Sequence, residues 1–251
     1  MIKWTLRLLF VIICMIGAAL LMLNILSGTG ESQKKGLEGA FSQVFQGQAH
    51  IGALKTFNIL PQFDVDAADI TIDLKNNTTI KAEQVRIAFA FVDLFKGNHH
   101  IEALNLKNID IGKDILGPFP VKIGTASIQQ KNGENGELVV DGVLDAQKLH
   151  LTLDLQSFPT PRPSYALRES NPFQIDLGTV KTSGHLVPYK PDYKAFTNVT
   201  VEAFGKVCAF GEDSAITGDV FFADVLMAQT HLKNAKDFMK YCTTITKPVA
   251  P

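Results

Sequence analysis

The stretch from Gly36 to Gly112, GLEGAFSQVFQGQAHIGALKTFNILPQFDVDAADITIDLKNNTTIKAEQVRIAFAFVDLFKGNHHIEALNLKNIDIG, decides the fold class. Apolar residues occupy every second position in two of its segments, the first containing Ile70, Ile72 and Leu74 and the second Val85, Ile87, Phe89 and Phe91. This period of two is typical of a β-strand with one apolar face. The alternation changes phase at Ala67-Ala68 and again between Leu106 and Ile109. Both changes predict β-bulges, which bend and twist a sheet.

The rest of the chain extends this β pattern. A short amphipathic helix over Leu37–Phe45 precedes strands predicted near His50–Ile59, Phe63–Leu74, Ile80–Asp93, His99–Ile111, Phe119–Gln130, Leu138–Leu144 and Lys148–Phe158. Two Asn-Gly pairs between residues 131 and 136 favour a hairpin turn. After the proline-rich segment 159–172, which we predict to be a loop, come strands over Phe173–Val187, Tyr193–Val207 and Ile216–Val225 and a closing helix over Leu232–Cys242.

The N-terminus predicts a membrane anchor. Residues 4–26 are apolar apart from Thr5, Arg7 and Asn24, and at ~1.5 Å per residue such a helix is ~35 Å long, enough to cross a bilayer. Lys3 and Arg7 indicate that the N-terminus stays in the cytoplasm. A cleaved signal peptide is the alternative, but its apolar core is shorter. We therefore divide the chain into an anchor (1–30), a first β region (31–158), the loop (159–172) and a second β region (173–251).

Composition and motifs argue against catalysis and nucleic-acid binding. Lys plus Arg number 24 and Asp plus Glu 25, so the basic excess of a nucleic-acid-binding protein is missing. The sequence has no nucleophile, nucleotide or zinc-protease motif, and we predict no catalytic residues, no cofactor and no metal. One acidic cluster consists of Asp64, Asp66, Asp69 and Asp73. It lacks the glycine and glutamate of a calcium-binding loop and indicates the solvent-exposed face of a strand.

Three cysteines are present, and Cys14 lies within the apolar run. Cys208 and Cys242 could form one disulfide if this part of the chain is exported to an oxidising compartment. Two buried free thiols are an equally good interpretation.

The first part of the chain resembles the opening of AsmA-like proteins. An anchor, a short helix ending in Gly47, a strand, Leu60-Pro61 and an alternating strand come in that order over residues 2–112. The segment VRIAFAFVDLFKG (residues 85–97) is similar to that family's strand and turn, and HIEALNL (residues 100–106) to the strand that follows. The resemblance implies an inner-membrane-anchored periplasmic protein whose curved antiparallel sheet forms a U-shaped groove for phospholipid, with larger envelope proteins as possible partners.

Under this interpretation the apolar strand faces line a lipid groove. The groove residues we predict are Ile70, Ile72, Leu74, Val85, Ile87, Phe89, Phe91, Leu149, Leu151, Leu153 and Leu155. The sequence leaves two alternatives open. The same faces could pack into a closed β core, and the protein could be a scaffold that docks to a larger envelope protein without any ligand.

Overall fold

The computed structural model describes residues 30–58, 62–74, 78–90, 100–113, 120–131, 135–158, 164–190, 193–210, 216–217 and 221–245. Helix α1 covers Gly30–Val44. The strands are β1 (Gly47–Asn58), β2 (Gln62–Leu74), β3 (Thr79–Ala90), β4 (Ala103–Ile111), β5 (Val121–Lys131), β6 (Asn135–Leu144), β7 (Gln147–Phe158), β8 (Ser164–Ala166), β9 (Asn171–Leu177), β10 (Val180–Lys190), β11 (Tyr193–Ala203), β12 (Lys206–Phe210) and β13 (Ile216–Thr217). A π-helix (Phe221–Met227) and helix α2 (Ala235–Ile245) follow.

In these ranges no helix is both long and apolar enough to cross a bilayer. The predicted anchor, residues 4–26, lies outside the described residues.

The strands form one antiparallel sheet, which confirms the mainly β fold with a short C-terminal helix. Its order is β1-β2-β3-β4-β5-β6-β7-β9-β10-β11-β12, with β8 on β7 and β13 on β11, and no pairing joins β1 to β12. The sheet is therefore curved but not closed. Neighbours in sequence are neighbours in space at almost every step, so short hairpins provide most of the topology.

One face of the sheet is apolar from end to end. Paired residues on antiparallel neighbours share a face, so the register traces that face from strand to strand. From Ile70 on β2 it passes through Ala82, Ile109, Ile123, Gly142, Leu149, Leu177 and Val180. The other face carries the polar residues between them, including the ion pair of Arg86 with Asp64 at 3.0 Å.

The phase changes predicted in β2 and β4 are present, but their cause differs from the bulges we expected. Asp69 and Asn108 adopt left-handed φ values of 55° and 46°. The pairing Ala68–Gln84, Ile70–Ala82 continues without an inserted residue at this level. At each left-handed residue the inward and outward alternation of the side chains shifts by one position. Since neighbouring strands shift at the same level, the pairing continues without an extra residue. Register shifts lie elsewhere, between Leu54 and Thr56 and between Ile123 and Thr125.

Helix α1 covers part of the free edge of β1. Glu38 Oε1 accepts the N–H of Ile51 at 2.8 Å, and Ser42 Oγ accepts the N–H of Ala49 at 2.9 Å. These side chains replace the strand that is missing at the edge and block sheet-to-sheet association there. Leu37 and Phe41 of the same helix pack on the apolar cluster of β1–β3, so α1 caps the sheet.

The π-helix and α2 fill the apolar face at the other end. Phe221, Val225 and Phe238 are almost fully buried in a cluster with β9–β12. Inside it Gln229 Nε2 donates to Tyr241 Oη at 3.0 Å, and the Tyr241 hydroxyl donates to the Val225 carbonyl at 3.2 Å. Burial raises the pKa of Tyr241 well above its ordinary value, against the smaller opposing effect of the hydrogen bond from Gln229.

A disulfide joins Cys208 on β12 to Cys242 on α2, with Cα atoms 6.0 Å apart. The sequence had left a bond and two free thiols equally open. The bond ties the C-terminal helix to the last strand of the sheet path.

Three predicted strands in the second half are wrong. Phe173–Val187 is two strands, β9 and β10, which turn at Gly178 with a φ of 60°. Tyr193–Val207 is likewise β11 and β12, which turn at Phe204 and Gly205, both left-handed. In both cases tight turns hide in an alternation that continues across them. The predicted loop 159–172 also contains β8 and the start of β9, while residues 159–163 lie outside the described residues.

The third wrong strand is Ile216–Val225. Of the described residues in this range, only Ile216–Thr217 pairs, with β11, and the chain is helical over Phe221–Met227. A short apolar run does not distinguish a buried strand from a buried helix by periodicity alone. The next helix starts later than predicted because Asn234 caps it: its side-chain Oδ1 accepts the N–H groups of Lys236 and Asp237, each at 3.0 Å.

Replacing one cysteine or both is expected to destabilise the protein by the same amount, because either change removes the same disulfide. A bond that spans 34 residues restricts the unfolded chain by about 3–4 kcal/mol. In denaturant titrations the free energy of unfolding of Cys208→Ser, of Cys242→Ser and of the double variant should each be lower than that of the wild type by about this amount. A reductant should lower the free energy of unfolding of the wild type only. Losses that add in the double variant would show that the thiols contribute by packing and are not bonded.

Asn108 is expected to tolerate glycine but not valine. A β-branched residue is strongly disfavoured at positive φ, so Asn108→Val should lower the free energy of unfolding by roughly 1–2 kcal/mol. Asn108→Gly should stay within about 0.5 kcal/mol. The neighbouring exposed Lys107 has an ordinary φ, and Lys107→Val serves as the control that should be neutral. Equal losses at both positions would refute the left-handed conformation.

Candidate functional site

Helices cover both ends of the apolar face and leave its middle half-exposed. Six aliphatic residues there are neither buried nor fully exposed, and none belongs to the cluster under α1 or to the cluster under the C-terminal helices. We call them the central strip: Ile87, Leu104, Leu106, Ile128, Leu138 and Val140. The register unites them, since Ile87 pairs with Leu104, and Ile128 with Leu138.

A single backbone bridge also connects two distant parts of the sheet beside the strip. β8 pairs with β7 on one edge, and on its other edge Tyr165 exchanges two backbone hydrogen bonds, both 2.8 Å, with Ile101, which lies just before β4. The sheet must curl strongly for the start of β4 to meet a strand attached to β7. His100 stacks on Phe158 at 4.1 Å between ring centroids and holds the same junction.

The strip lies inside this curl. Gly136 pairs with Leu155, which shares the face of Leu153. A methyl group in place of the Gly136 hydrogen would lie 2.2 Å from Cδ1 of Tyr165, so the tyrosine ring covers the apolar face at this point. Only glycine leaves room for that approach. The apolar face is therefore the inner one.

Aromatic residues stand next to the strip on the first three strands. Phe63 stacks on Phe89 at 4.6 Å with an interplanar angle of 14°, and Phe57 meets Phe63 edge-on at 6.3 Å. All three are half-buried. They extend the apolar surface of the strip toward the β1 edge.

The predicted groove residues divide into three groups on this one face. Ile70 and Ile72, each 5% exposed, belong to the cluster under α1, and Leu74 and Val85 pack against that cluster. Ile87 lies in the strip and Phe89 next to it. The remaining ones lie on β7, where Leu149, Leu151 and Leu153 pack against the C-terminal cluster and Leu155 is buried. Phe91 lies outside the described residues.

Sequence reasoning missed five strip residues: Leu104, Leu106, Ile128, Leu138 and Val140. Leu104 and Leu106 alternate on β4, as Leu138 and Val140 do on β6, and this signal could have identified these four. Which alternating runs face a helix and which face open space depends on the placement of α1 and the C-terminal helices.

Polar chemistry is absent from the strip. Asp64 and Asp66 lie on the other face, where they bond Arg86 and Gln84. Across the described ranges, no three His, Cys, Asp or Glu side chains are grouped so that they could hold a metal ion. A depression of about 810 Å³ around Gly124 is lined by residues of both kinds, among them Lys122, Asp141, His150, Val143 and Leu149. Two pairs of its polar side chains contact each other: His150 Nδ1 lies 2.7 Å from Asp141 Oδ1, and Lys122 Nζ lies 3.2 Å from Asp110 Oδ2.

Comparison of the chain with protein-family models, with curated proteins and with solved structures finds no match.

Proposed function

We propose that the central strip binds lipid acyl chains in a U-shaped groove and that the protein holds or passes lipid at a membrane. The observation that carries the proposal is the strip itself: six aliphatic side chains on the inside of the curl, left half-exposed between two covered ends. Soluble proteins rarely keep such a surface uncovered without a ligand or partner.

The chemistry of the strip favours an acyl chain over a peptide. Its strands have already paired their backbone groups with one another, and its side chains carry no donor or acceptor. A peptide would bring backbone N–H and C=O groups that nothing there could satisfy, at a cost of about 1–3 kcal/mol each. An acyl chain has no such groups and loses nothing on leaving water.

The energetics suit transfer rather than capture. Exposing a sixteen-carbon tail to water costs on the order of 12 kcal/mol, at ~0.8 kcal/mol per methylene. Aliphatic side chains remove most of this cost, as the bilayer does, so the tail has a similar free energy in both places. The protein then provides a path without a driving force, and net direction depends on a partner or a gradient.

The proposed location is the periplasmic side of a bacterial inner membrane. Residues 4–26 would anchor the chain with its N-terminus in the cytoplasm, and α1 starts at Gly30, so the sheet would begin at the bilayer surface. A disulfide between Cys208 and Cys242 suits an oxidising compartment. The resemblance to AsmA-like proteins supports the same location, phospholipids as ligands and larger envelope proteins as partners.

A charge placed in the strip should abolish lipid retention. In Leu138→Asp the carboxylate would face the acyl chain, and its desolvation outweighs what the site gains from binding. We expect the full-length wild type, purified in mild detergent, to retain phospholipid in native mass spectrometry. Leu138→Asp should retain at least tenfold less phospholipid than the wild type.

Val139→Asp is the matched control, because Val139 is the next residue of β6 and faces the other way. It should retain lipid at the wild-type level. Circular dichroism should show the same β content in all three proteins. A folded wild type without lipid, or equal losses in both variants, would refute the proposed site, and the first result would favour the ligand-free scaffold.

A further inference from the structure

We propose that Tyr165 is the end wall of the acyl site and determines how far a bound chain reaches along the strands, an inference that rests on the proposed function. The ring of Tyr165 lies over Gly136, one inward position before Leu138 on β6. It is 6% exposed, and it comes from β8, outside the continuous path of the sheet. The strip therefore ends at this ring.

The opposite end of the site is closed as well. On β5 the next inward residue with a large side chain beyond the strip is Ile123, which packs against the C-terminal cluster. Among the described residues of β5 and β6, two inward rows lie between this cluster and Tyr165, one through Ile128 and Leu138 and one through Val140. On β7 the same rows continue into Leu153 and Leu151, which pack against the cluster and close the site on that side. Both boundaries meet the inward face of β6, at Gly136 and at Leu144, so a chain lying along this strand is limited in depth by them.

The two boundaries are built differently. Gln229, Tyr241 and the disulfide fix the C-terminal helices within a large buried cluster. Tyr165 is held by three residue pairs to β7 and by a single pair to Ile101. Changing the tyrosine side chain leaves those backbone pairs in place, so the ring can be altered while β8 stays paired with β7 and with Ile101.

Removal of the ring should lengthen the site. The row that Tyr165 covers is one step of two residues, ~6.6 Å along a strand. Tyr165→Ala frees that row and should shift the retained lipids toward acyl chains longer by a few methylene groups. Tyr165→Leu keeps a larger side chain over Gly136 than Tyr165→Ala does. It should therefore give a smaller shift in the same direction.

Phe158→Ala is the control for a weakened attachment of β8. Phe158 is one position out of phase with the inward Ser157, so it holds His100 on the outer side and forms no part of the wall. This variant weakens the same junction and leaves the Tyr165 ring over Gly136. Its retained acyl chains should match those of the wild type.

The measurement is native mass spectrometry of the full-length proteins, with the acyl composition of the retained phospholipid compared with that of the membrane from which each was purified. Longer chains in Tyr165→Ala, an intermediate length in Tyr165→Leu and no change in Phe158→Ala support the inference. Unchanged lengths in both Tyr165 variants, or the same shift in Phe158→Ala, overturn it while the proposed function stands. A wild type that retains no lipid overturns both.

Discussion

The antiparallel register holds the apolar residues of the whole sheet on one face, and the rest of the structure depends on it. A slip of one residue at any strand would turn that strand's apolar side chains to water. The register survives a change of phase inside β2 and β4 because Asp69 and Asn108 adopt left-handed backbone conformations at one level. The same face therefore continues from the cluster under α1, through the central strip, to the cluster under the C-terminal helices.

Coverage of this face is uneven, and the function we propose follows from that. Helix α1 covers β1–β3, where Leu37 and Phe41 pack on it, and also blocks the β1 edge. The C-terminal helices cover β9–β12 and are fixed there by the disulfide and by the buried Gln229–Tyr241 pair. At one end of β4–β6, Ile111, Val121 and Leu144 also join the C-terminal cluster, whereas the residues of the central strip belong to neither cluster. What remains open is a short aliphatic surface inside a curl, suited to a ligand without hydrogen-bonding groups.

The sequence predicted the elements better than it predicted what covers them. Alternation identified β2, β3 and β7, and the two phase changes were recognised, because both signals are local. The hairpin turns at Gly178 and at Phe204-Gly205 were missed because alternation continues through a two-residue turn. Ile72 and Ile87 have the same local pattern, yet Ile72 is buried under α1 and Ile87 lies in the open strip. Contacts between distant segments make this difference, and no local pattern records them.

The account requires inward and outward residues of one strand to differ in their contact with lipid. A photo-crosslinking amino acid placed in turn at residues 137, 138, 139, 140 and 141 of β6, in the full-length protein in cells, tests this directly. We predict phospholipid adducts at positions 138 and 140 and none at 137, 139 and 141. Adducts at every position, at the outward positions, or at none of the five would contradict an acyl-binding inner face.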